Sequence, residues 1–368
     1  MKILRVINSL HIGGAERSIV GNVPLHIKNG YKMDVLLLNG EETFFLKKLK
    51  SEGVKVFSLN KNKTLYNPLY ILKIIKFLKD YDIVHAHLFP SLYWVSLANF
   101  FSKTKKILVY TEHNTHNRRR EIPFFKFIDR FIYKQYKHII TITPETNKNL
   151  IAHLKRKDNI STIYNGVDID QIQKDKSKLA DSLLKKYKGK KILIQVAGFR
   201  EQKDQDTLIK SLEVLPEEFH ILFVGEGKRE ETCKNLVRSL GLEDRVDFLG
   251  VQNNVGALYK IADIVVMSSH WEGFGRTAIE GMAAGKPVVA SDVKGLANLV
   301  KGAGLLFEKS NKNMLAEQIL RLSEDKEFYE KCVKRSIERA EEYSIERMVN
   351  GYEVIYEKLY VKSNEKVF

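Results

Sequence analysis

Apolar residues along this 368-residue chain fall in short, β-branched blocks that alternate with segments whose apolar positions recur every three or four residues. In the first half, KILRVINSL (Lys2–Leu10), KMDVLLLNG (Lys32–Gly40), VKVFSL (Val54–Leu59), DIVHAH (Asp82–His87), KILVYTEH (Lys106–His113) and HIITITPE (His138–Glu145) predict strands, with helices over Ala15–Lys28 and Pro68–Lys79. In the second half, KILIQVAGF (Lys191–Phe199), FHILFVGEG (Phe219–Gly227), VDFLGV (Val246–Val251), DIVVMSS (Asp263–Ser269), KPVVASD (Lys286–Asp292) and GLLFE (Gly304–Glu308) predict strands. Helices are expected over Gln205–Val214, Lys228–Leu240, Val255–Ile261 and Thr277–Ala284. Alternation of this kind means parallel sheets with helices on both faces, here twice over, an α/β chain of two doubly wound domains. Such sheets take ligands beyond the carboxyl ends of their strands. The length agrees, since it exceeds the usual single domain, and the polar stretch from Ile163 to Ile192 marks the division.

One loop carries chemistry. In HWEGFGRTAIEGMAAGKPVVASD (His270–Asp292), Glu272 and Glu280 flank Gly273, Phe274 and Gly275 between an expected strand and an expected helix. Glycines let backbone approach a ligand closely, and the N–H groups at a helix start favour an anion such as a diphosphate. A carboxylate at the loop mouth, Glu272, can accept hydrogen bonds from sugar hydroxyls, and one a turn into the helix, Glu280, can hold a ribose diol. Taken alone, the spacing is equally that of an ordinary βαβ turn with solvated acids.

The spacing does not stand alone. With INSLHIGGAER near the start, DIVHAH, TEHN (Thr111–Asn114), IYNGVDID (Ile163–Asp170), AGFREQKDQDTLIKSL from Ala197, LFVGEGKRE from Leu222 and VDFLGVQNNV from Val246, the chain resembles retaining glycosyltransferases of family 4, of the bacterial surface-polysaccharide type. The resemblance implies the GT-B architecture: two Rossmann-like domains facing across a cleft, residues 1–170 for the acceptor, residues 171–345 for the nucleotide sugar, and residues 346–368 as a helix returning to the first domain. It implies catalytic roles for Glu272, His113 and Lys203, the lysine lying against the donor diphosphate. Donor contacts are expected from Gly13, Gly14, Arg200, Lys203, Gly225, Val251, Gly273, Phe274, Gly275, Arg276, Thr277 and Glu280. Many relatives carry arginine where this chain has Gly198, and Arg200 is the replacement in the same loop. Arg276 is an extra cation for the diphosphate or an acidic sugar. Neither metal nor cofactor is implied. The Asp168–Asp170 pair imitates a metal-binding D-x-D but falls in the loop before the division. The implied reaction moves a hexose or N-acetylhexosamine, from a UDP-sugar by preference, to a lipid-linked saccharide.

Charge and composition bear on the partners. Residues 1–170 hold 28 lysines and arginines against 14 acids, a net +14 of the chain's +16. The densest stretch runs from Lys103 to Lys157 and interleaves Arg118–Arg120 and KRK at Lys155–Lys157 with Phe124, Phe125, Phe127, Phe131 and Tyr133. A basic, aromatic, helix-capable segment suits an anionic membrane surface, and the expected placement is peripheral, on the cytoplasmic face of the plasma membrane. Solvated charges around core phenylalanines would produce the same pattern. The most apolar run, Leu88–Phe101, is too short to span a bilayer and reads as a buried helix. Cys233 and Cys332 are spaced for neither a zinc site nor a disulfide framework. A nucleic-acid-binding protein would explain the charge but not the paired glutamates, and no nucleic-acid module accompanies it. An epimerase or dehydrogenase would need the dinucleotide fingerprint that HIGGAERSIV lacks.

Overall fold

The structure, a computed structural model, describes the chain apart from residues 12, 62–63, 115–116, 175–182, 253–254 and 366–368. The chain divides into two compact units, Met1–Gly166 together with the segment from Ile345, and Val167–Ser344. The first unit is built on a parallel sheet of β1 (Lys2–Ile7), β2 (Lys32–Asn39), β3 (Val56–Asn60), β4 (Ile83–His87), β5 (Ile107–Glu112), β6 (His138–Thr141) and β7 (Ile160–Thr162), in the order β3-β2-β1-β4-β5-β6-β7. The second holds β8 (Lys191–Val196), β9 (Phe219–Val224), β10 (Val246–Phe248), β11 (Ile264–Met267), β12 (Val288–Ser291) and β13 (Leu305–Phe307), in the order β10-β9-β8-β11-β12-β13. In each sheet the winding reverses once, between β1 and β4 and between β8 and β11. A crevice opens at the carboxyl ends of the strands at such a switch point.

Burial explains why these blocks are strands. In β1, Ile3 and Ile7 enter one core with Val35, Leu37 and Ile19, whereas Leu4 and Val6 enter the opposite core with Leu36, Val84 and Ala86. In β9, Leu222 and Val224 pack on one face and Phe219, Ile221 and Phe223 on the other. The two-residue period of a strand thus supplies both layers. Each such side chain contributes about 1.5–3 kcal/mol by leaving water.

The terminal helix Ile345–Asn364 buries Ile345, Met348, Val349, Tyr352 and Tyr356, a spacing of three and four, in the first unit's core. Gly21, on the helix Gly14–Lys28, allows the close approach, since a Cβ there would lie 2.7 Å from the Ile345 Cδ1. Where the sequence suggested divisions at 170 and 345, the first falls after Gly166. The Val167 N–H donates to the Tyr343 carbonyl at 2.9 Å, and Val167 and Ile169 belong to the second unit's core.

Two local expectations need correction. The HIITITPE strand stops at Thr141, because the Thr143 hydroxyl accepts from the Thr146 N–H at 3.1 Å and Pro144 occupies the first turn, starting the helix Pro144–Leu154. The run Leu88–Phe101 forms a helix only over Ser91–Phe101, and Phe100 and Phe101 at its end face solvent. On the helix Pro123–Lys134, Phe124, Phe127 and Phe131 are exposed, so the alternative of core phenylalanines does not hold for these three.

Candidate active site

Of the expected residues of the second unit, Arg200, Lys203 and those from Glu272 to Glu280 gather at the β8–β11 switch point, whereas Gly225 follows β9 and Val251 lies beyond β10. After β8 the chain turns through Arg200 into a single helical turn at Glu201–Lys203, and after β11 it loops through Glu272–Gly275 into the helix Arg276–Ala283. The two loops are tied together: the His270 N–H donates to the Gln202 carbonyl at 2.8 Å, and the Gln202 amide donates to the Trp271 carbonyl at 2.8 Å. Gln195 Nε2 and the Ser268 hydroxyl both bond the Lys203 carbonyl, at 3.0 and 3.1 Å. Held in this way, Lys203 Nζ meets the Glu272 carboxylate directly, and the Ser269 hydroxyl donates to the same oxygen at 2.9 Å. Both side chains are largely shielded from water, at 19% and 9% exposure, so their interaction is weakly screened.

Glu280 is fixed from two sides. Arg276 Nε lies 2.9 Å from Oε1, an i,i+4 pair on the helix, and the Tyr259 hydroxyl lies 3.4 Å from Oε2. The extra cation of the glycine loop therefore sits on the second glutamate. Gly275, at φ +76°, precedes the helix and provides no side-chain cap, and the Ala278 N–H donates to the Gly275 carbonyl at 3.0 Å; a helix start of this kind favours an anion. Thr277 lies in that first turn.

Glycine is required where backbones cross. Gly225 has φ +137°, and a Cβ there would stand 2.2 Å from the Ala197 carbonyl oxygen. Gly295 has φ +86°, and a Cβ would stand 2.1 Å from the carbonyl oxygen of Glu272 itself. At Gly273 an added Cβ would meet nothing within 4 Å. A Cβ at Gly198 would lie 3.7 Å from Arg200 Nε, so the Arg200 guanidinium covers the bare backbone of Gly198. Val251 is half-exposed beyond β10.

Three expected residues belong to the first unit, at the carboxyl ends of β1 and β5. Gly13 precedes the helix Gly14–Lys28, and the Glu16 carboxylate folds back over that helix start, where a Cβ on Gly13 would lie 2.2 Å from its Oε2. Burial raises the Glu16 carboxyl above its usual range. His113 bonds through Nε2 to His87 Nδ1 at 3.0 Å, and the His87 ring stacks on His85 at 4.3 Å. Below them Arg5, fully buried in β1, donates to His85 Nδ1 at 2.7 Å, to Asn22 Oδ1 at 3.1 Å and to the Tyr356 hydroxyl. Burial, reinforced by the Arg5 charge, lowers His113 to about 3 and holds His85 well below the usual histidine range. Burial and then the His85 and Arg5 charges do the same for His87. The three imidazoles are neutral. With Arg5 donating to Nδ1, His85 carries its proton on Nε2 and gives it to Thr111 Oγ1 at 2.7 Å.

Sequence reasoning missed Ser269, Tyr259, Gln202 and Gly295 around the glutamates, and Arg5, Asn22 and Tyr356 beneath the histidines. Only Gly295, in DVKGLANLV, carried a local signal: a glycine just beyond a strand end. The Asp168–Asp170 pair is explained locally, since Asp168 caps Gln171 N–H at 2.8 Å and Asp170 pairs with Lys174. Among the described residues, no three His, Cys, Asp or Glu side chains group as a metal would require. The side chains of Arg118 and Arg119 lie outside the described residues, as does His116.

Comparison with known proteins finds family matches in both halves of the chain. The family model Glycosyltransferase Family 4 matches residues 12–171, and Glycosyl transferases group 1 matches residues 177–339. The chain is 28% identical to the N-acetyl-alpha-D-glucosaminyl L-malate synthase of Bacillus anthracis, over 76% of this chain and 75% of that protein. It is 25% identical to a Campylobacter jejuni enzyme, N-acetylgalactosamine-N,N'-diacetylbacillosaminyl-diphospho-undecaprenol 4-alpha-N-acetylgalactosaminyltransferase, over 87% of this chain and 89% of that one. Among solved structures, Anabaena HepE in complex with UDP superposes with a TM-score of 0.85 at 22% identity, covering 97% of this chain and all of that one. Two doubly wound units with this likeness are the GT-B fold, and the chain belongs to glycosyltransferase family 4 and is a glycosyltransferase.

Proposed function

We propose that the chain moves a hexose or N-acetylhexosamine from a nucleoside diphosphate sugar, a UDP-sugar by preference, onto a lipid-linked saccharide during surface-polysaccharide assembly, with retention at the anomeric carbon. The observation that carries this reading is the pairing of Lys203 with Glu272 at the β8–β11 switch point, next to a helix start that has no side-chain cap. A diphosphate on those amides has its leaving-group charge met by Lys203 and Arg200. Glu272, steadied by Ser269, then accepts hydroxyls of the sugar, and Glu280, steadied by Arg276 and Tyr259, accepts those of the ribose. The backbone around Gly225 and Val251 faces the base. The bond from the anomeric carbon to the diphosphate oxygen breaks as the acceptor hydroxyl attacks from the same face. The departing oxygen takes the acceptor proton, so the chain supplies no base. Neutral His113 and the Gly13–Gly14 turn are assigned to the donor sugar and its phosphates. Neither metal nor cofactor enters this scheme.

The names of relatives support the acceptor class. The Campylobacter jejuni enzyme acts on a diphospho-undecaprenol saccharide, and a Staphylococcus aureus relative at 23% identity is a capsular polysaccharide biosynthesis glycosyltransferase. No helix among the described residues is long and apolar enough to cross a membrane. We assign the contact with an anionic, cytoplasmic membrane face to the helix Pro123–Lys134, where exposed Phe124, Phe127 and Phe131 run beside Lys126, Arg130 and Lys134. Nucleic acid is not among the proposed partners.

The decisive experiment is Lys203→Ala in a donor-consumption assay. Loss of one well-placed charge-stabilising donor lowers turnover about 100-fold or more. Near-normal turnover would reject the assignment.

A further inference from the structure

The first unit contains an apolar groove that the donor chemistry does not use. Its volume is about 510 Å³ and its walls include Phe89, Pro90, Tyr93, Trp94, Ile122 and Phe125, a size within the roughly 300–1,000 Å³ of small-ligand sites. The polar tips of Tyr93 and Trp94 are turned away, the Tyr93 hydroxyl donating to Asp129 and Trp94 Nε1 to the Leu65 carbonyl at 2.9 Å, and the ring of Tyr66 completes the wall. Only ring faces and hydrocarbon line the space. Water in such a groove finds no partners, so a nonpolar occupant is favoured.

Position and charge identify the occupant. The groove starts at Phe89, two residues beyond His87 at the carboxyl end of β4, and so lies at the β1–β4 switch point, the ligand-binding edge of this sheet. Its walls come from the first turns of the helices Ser91–Phe101 and Pro123–Lys134. These run side by side in the same direction, since Trp94 and Phe125 share the groove while Phe100 and Phe131 touch at 5.5 Å near the other ends. The same two helices carry the exposed Phe100, Phe101, Phe124, Phe127 and Phe131, with Lys105, 5.6 Å from the Phe100 ring centre, Lys126 and Arg130 beside them. An occupant with its polar end at the strand edge, an apolar body in the groove and a continuation along an aromatic, basic face is an anionic amphiphile leaving a bilayer.

We propose that this groove holds the first part of the hydrocarbon chain of the lipid that carries the saccharide acceptor. The proposal rests on the transferase reading above for the identity of that lipid, but chain binding can be measured without it. Each methylene covered strengthens binding about fourfold, the equivalent of about 0.8 kcal/mol.

Of the two tryptophans, Trp94 lines the groove and Trp271 lies in the donor loop. In a Trp271→Phe background, Trp94 emission therefore reports the groove. Titration with geranylgeranyl monophosphate below its aggregation threshold should quench or blue-shift that emission saturably, whereas inorganic phosphate should not. Ile122→Glu, at a half-exposed position that tolerates charge, and Phe125→Ala should each weaken the response at least tenfold, and Phe44→Ala, an exposed phenylalanine on the separate helix Phe44–Ser51, should not. No saturable change, or the same response in all variants, would overturn the groove as a chain site. In transfer assays with two acceptors bearing the same diphospho-saccharide, one on a long isoprenoid and one on a short water-soluble alkyl group, the long chain should lower KM at least tenfold in the wild type. Ile122→Glu should abolish that difference without changing short-chain turnover. Chain binding with no such KM difference would overturn the assignment to the acceptor's chain, and inactivity with both acceptors would overturn the transferase reading alone.

Discussion

Acidification should destabilise the first unit selectively, because three neutral imidazoles, His85, His87 and His113, surround the buried Arg5 guanidinium. Burial and that fixed charge hold their folded-state values below the ordinary histidine range, with His113 at about 3. In the unfolded chain each titrates near the ordinary value of about 6.5. Above that pH both states are neutral and the full stability is present; as pH falls below it, the unfolded chain binds protons that the folded unit refuses, and stability is lost. At pH 5.5 each imidazole costs about 1.4 kcal/mol, and three cost about 4 kcal/mol. That is a large part of the roughly 5–15 kcal/mol that holds a domain folded. His26, lowered to about 2 by burial and then by the Arg5 charge, acts in the same direction, so the sum over three is a lower bound. Hydrogen exchange at pH 7.5 and 5.5, corrected for intrinsic rates, measures the effect by strand. Protection of β4 and β5 should fall by about a thousandfold when exchange follows global opening of the unit, while β8 and β11, in a unit whose one buried histidine is His220 on β9 beside β8, should lose no more than about tenfold. Equal protection of β4 and β5 at the two pH values would show that the histidines bind protons while folded, and would refute the reasoning.

Gly295→Ala combines a left-handed backbone, costing about 1–2 kcal/mol, with a collision against the Glu272 carbonyl; displacement of Glu272 should lower kcat/KM about 100-fold. Gly273→Ala, in open space, should leave the thermal midpoint within a few degrees of the wild type, and an equal loss in both variants would argue against the crossing at Gly295. In vesicle sedimentation the wild type should pellet with anionic but not neutral lipid, and Phe127→Ala with Phe131→Ala should return it to the supernatant; recovery unaffected by anionic lipid would remove the membrane contact. Thermal shifts over a panel of UDP-, GDP- and other nucleoside diphosphate sugars should be largest with UDP-sugars, and a larger shift with a GDP-sugar would reverse that preference.

How far the site could be read in advance follows from how far its residues lie apart in sequence. The eight-residue spacing of Glu272 and Glu280 and the i,i+4 position of Arg276 are local, and helix geometry alone places Arg276 on Glu280. Lys203 and Glu272 are 69 residues apart and meet because β8 and β11 are neighbours, a pairing known only once the strand order is. The phenylalanines of Pro123–Lys134 left two readings open for a related reason. Their spacing is that of an amphipathic helix, and periodicity does not say which face meets the core and which meets solvent.

Arg5 was the least legible residue, lying inside a strand block between Leu4 and Val6. Its Tyr356 partner stands 351 positions away on the terminal helix, which also lays Tyr352 against the guanidinium at 5.1 Å. A buried guanidinium without hydrogen-bond acceptors costs several kcal/mol. Tyr356 also bonds His85 Nδ1 at 2.6 Å, so the hydroxyl that satisfies Arg5 helps set the imidazole that stacks under His87. The return of the terminal helix is thus more than a hydrophobic closure. It completes the polar layer under the strand edge where His113 stands, and ties the last segment of the chain to the orientation of a residue near its first third.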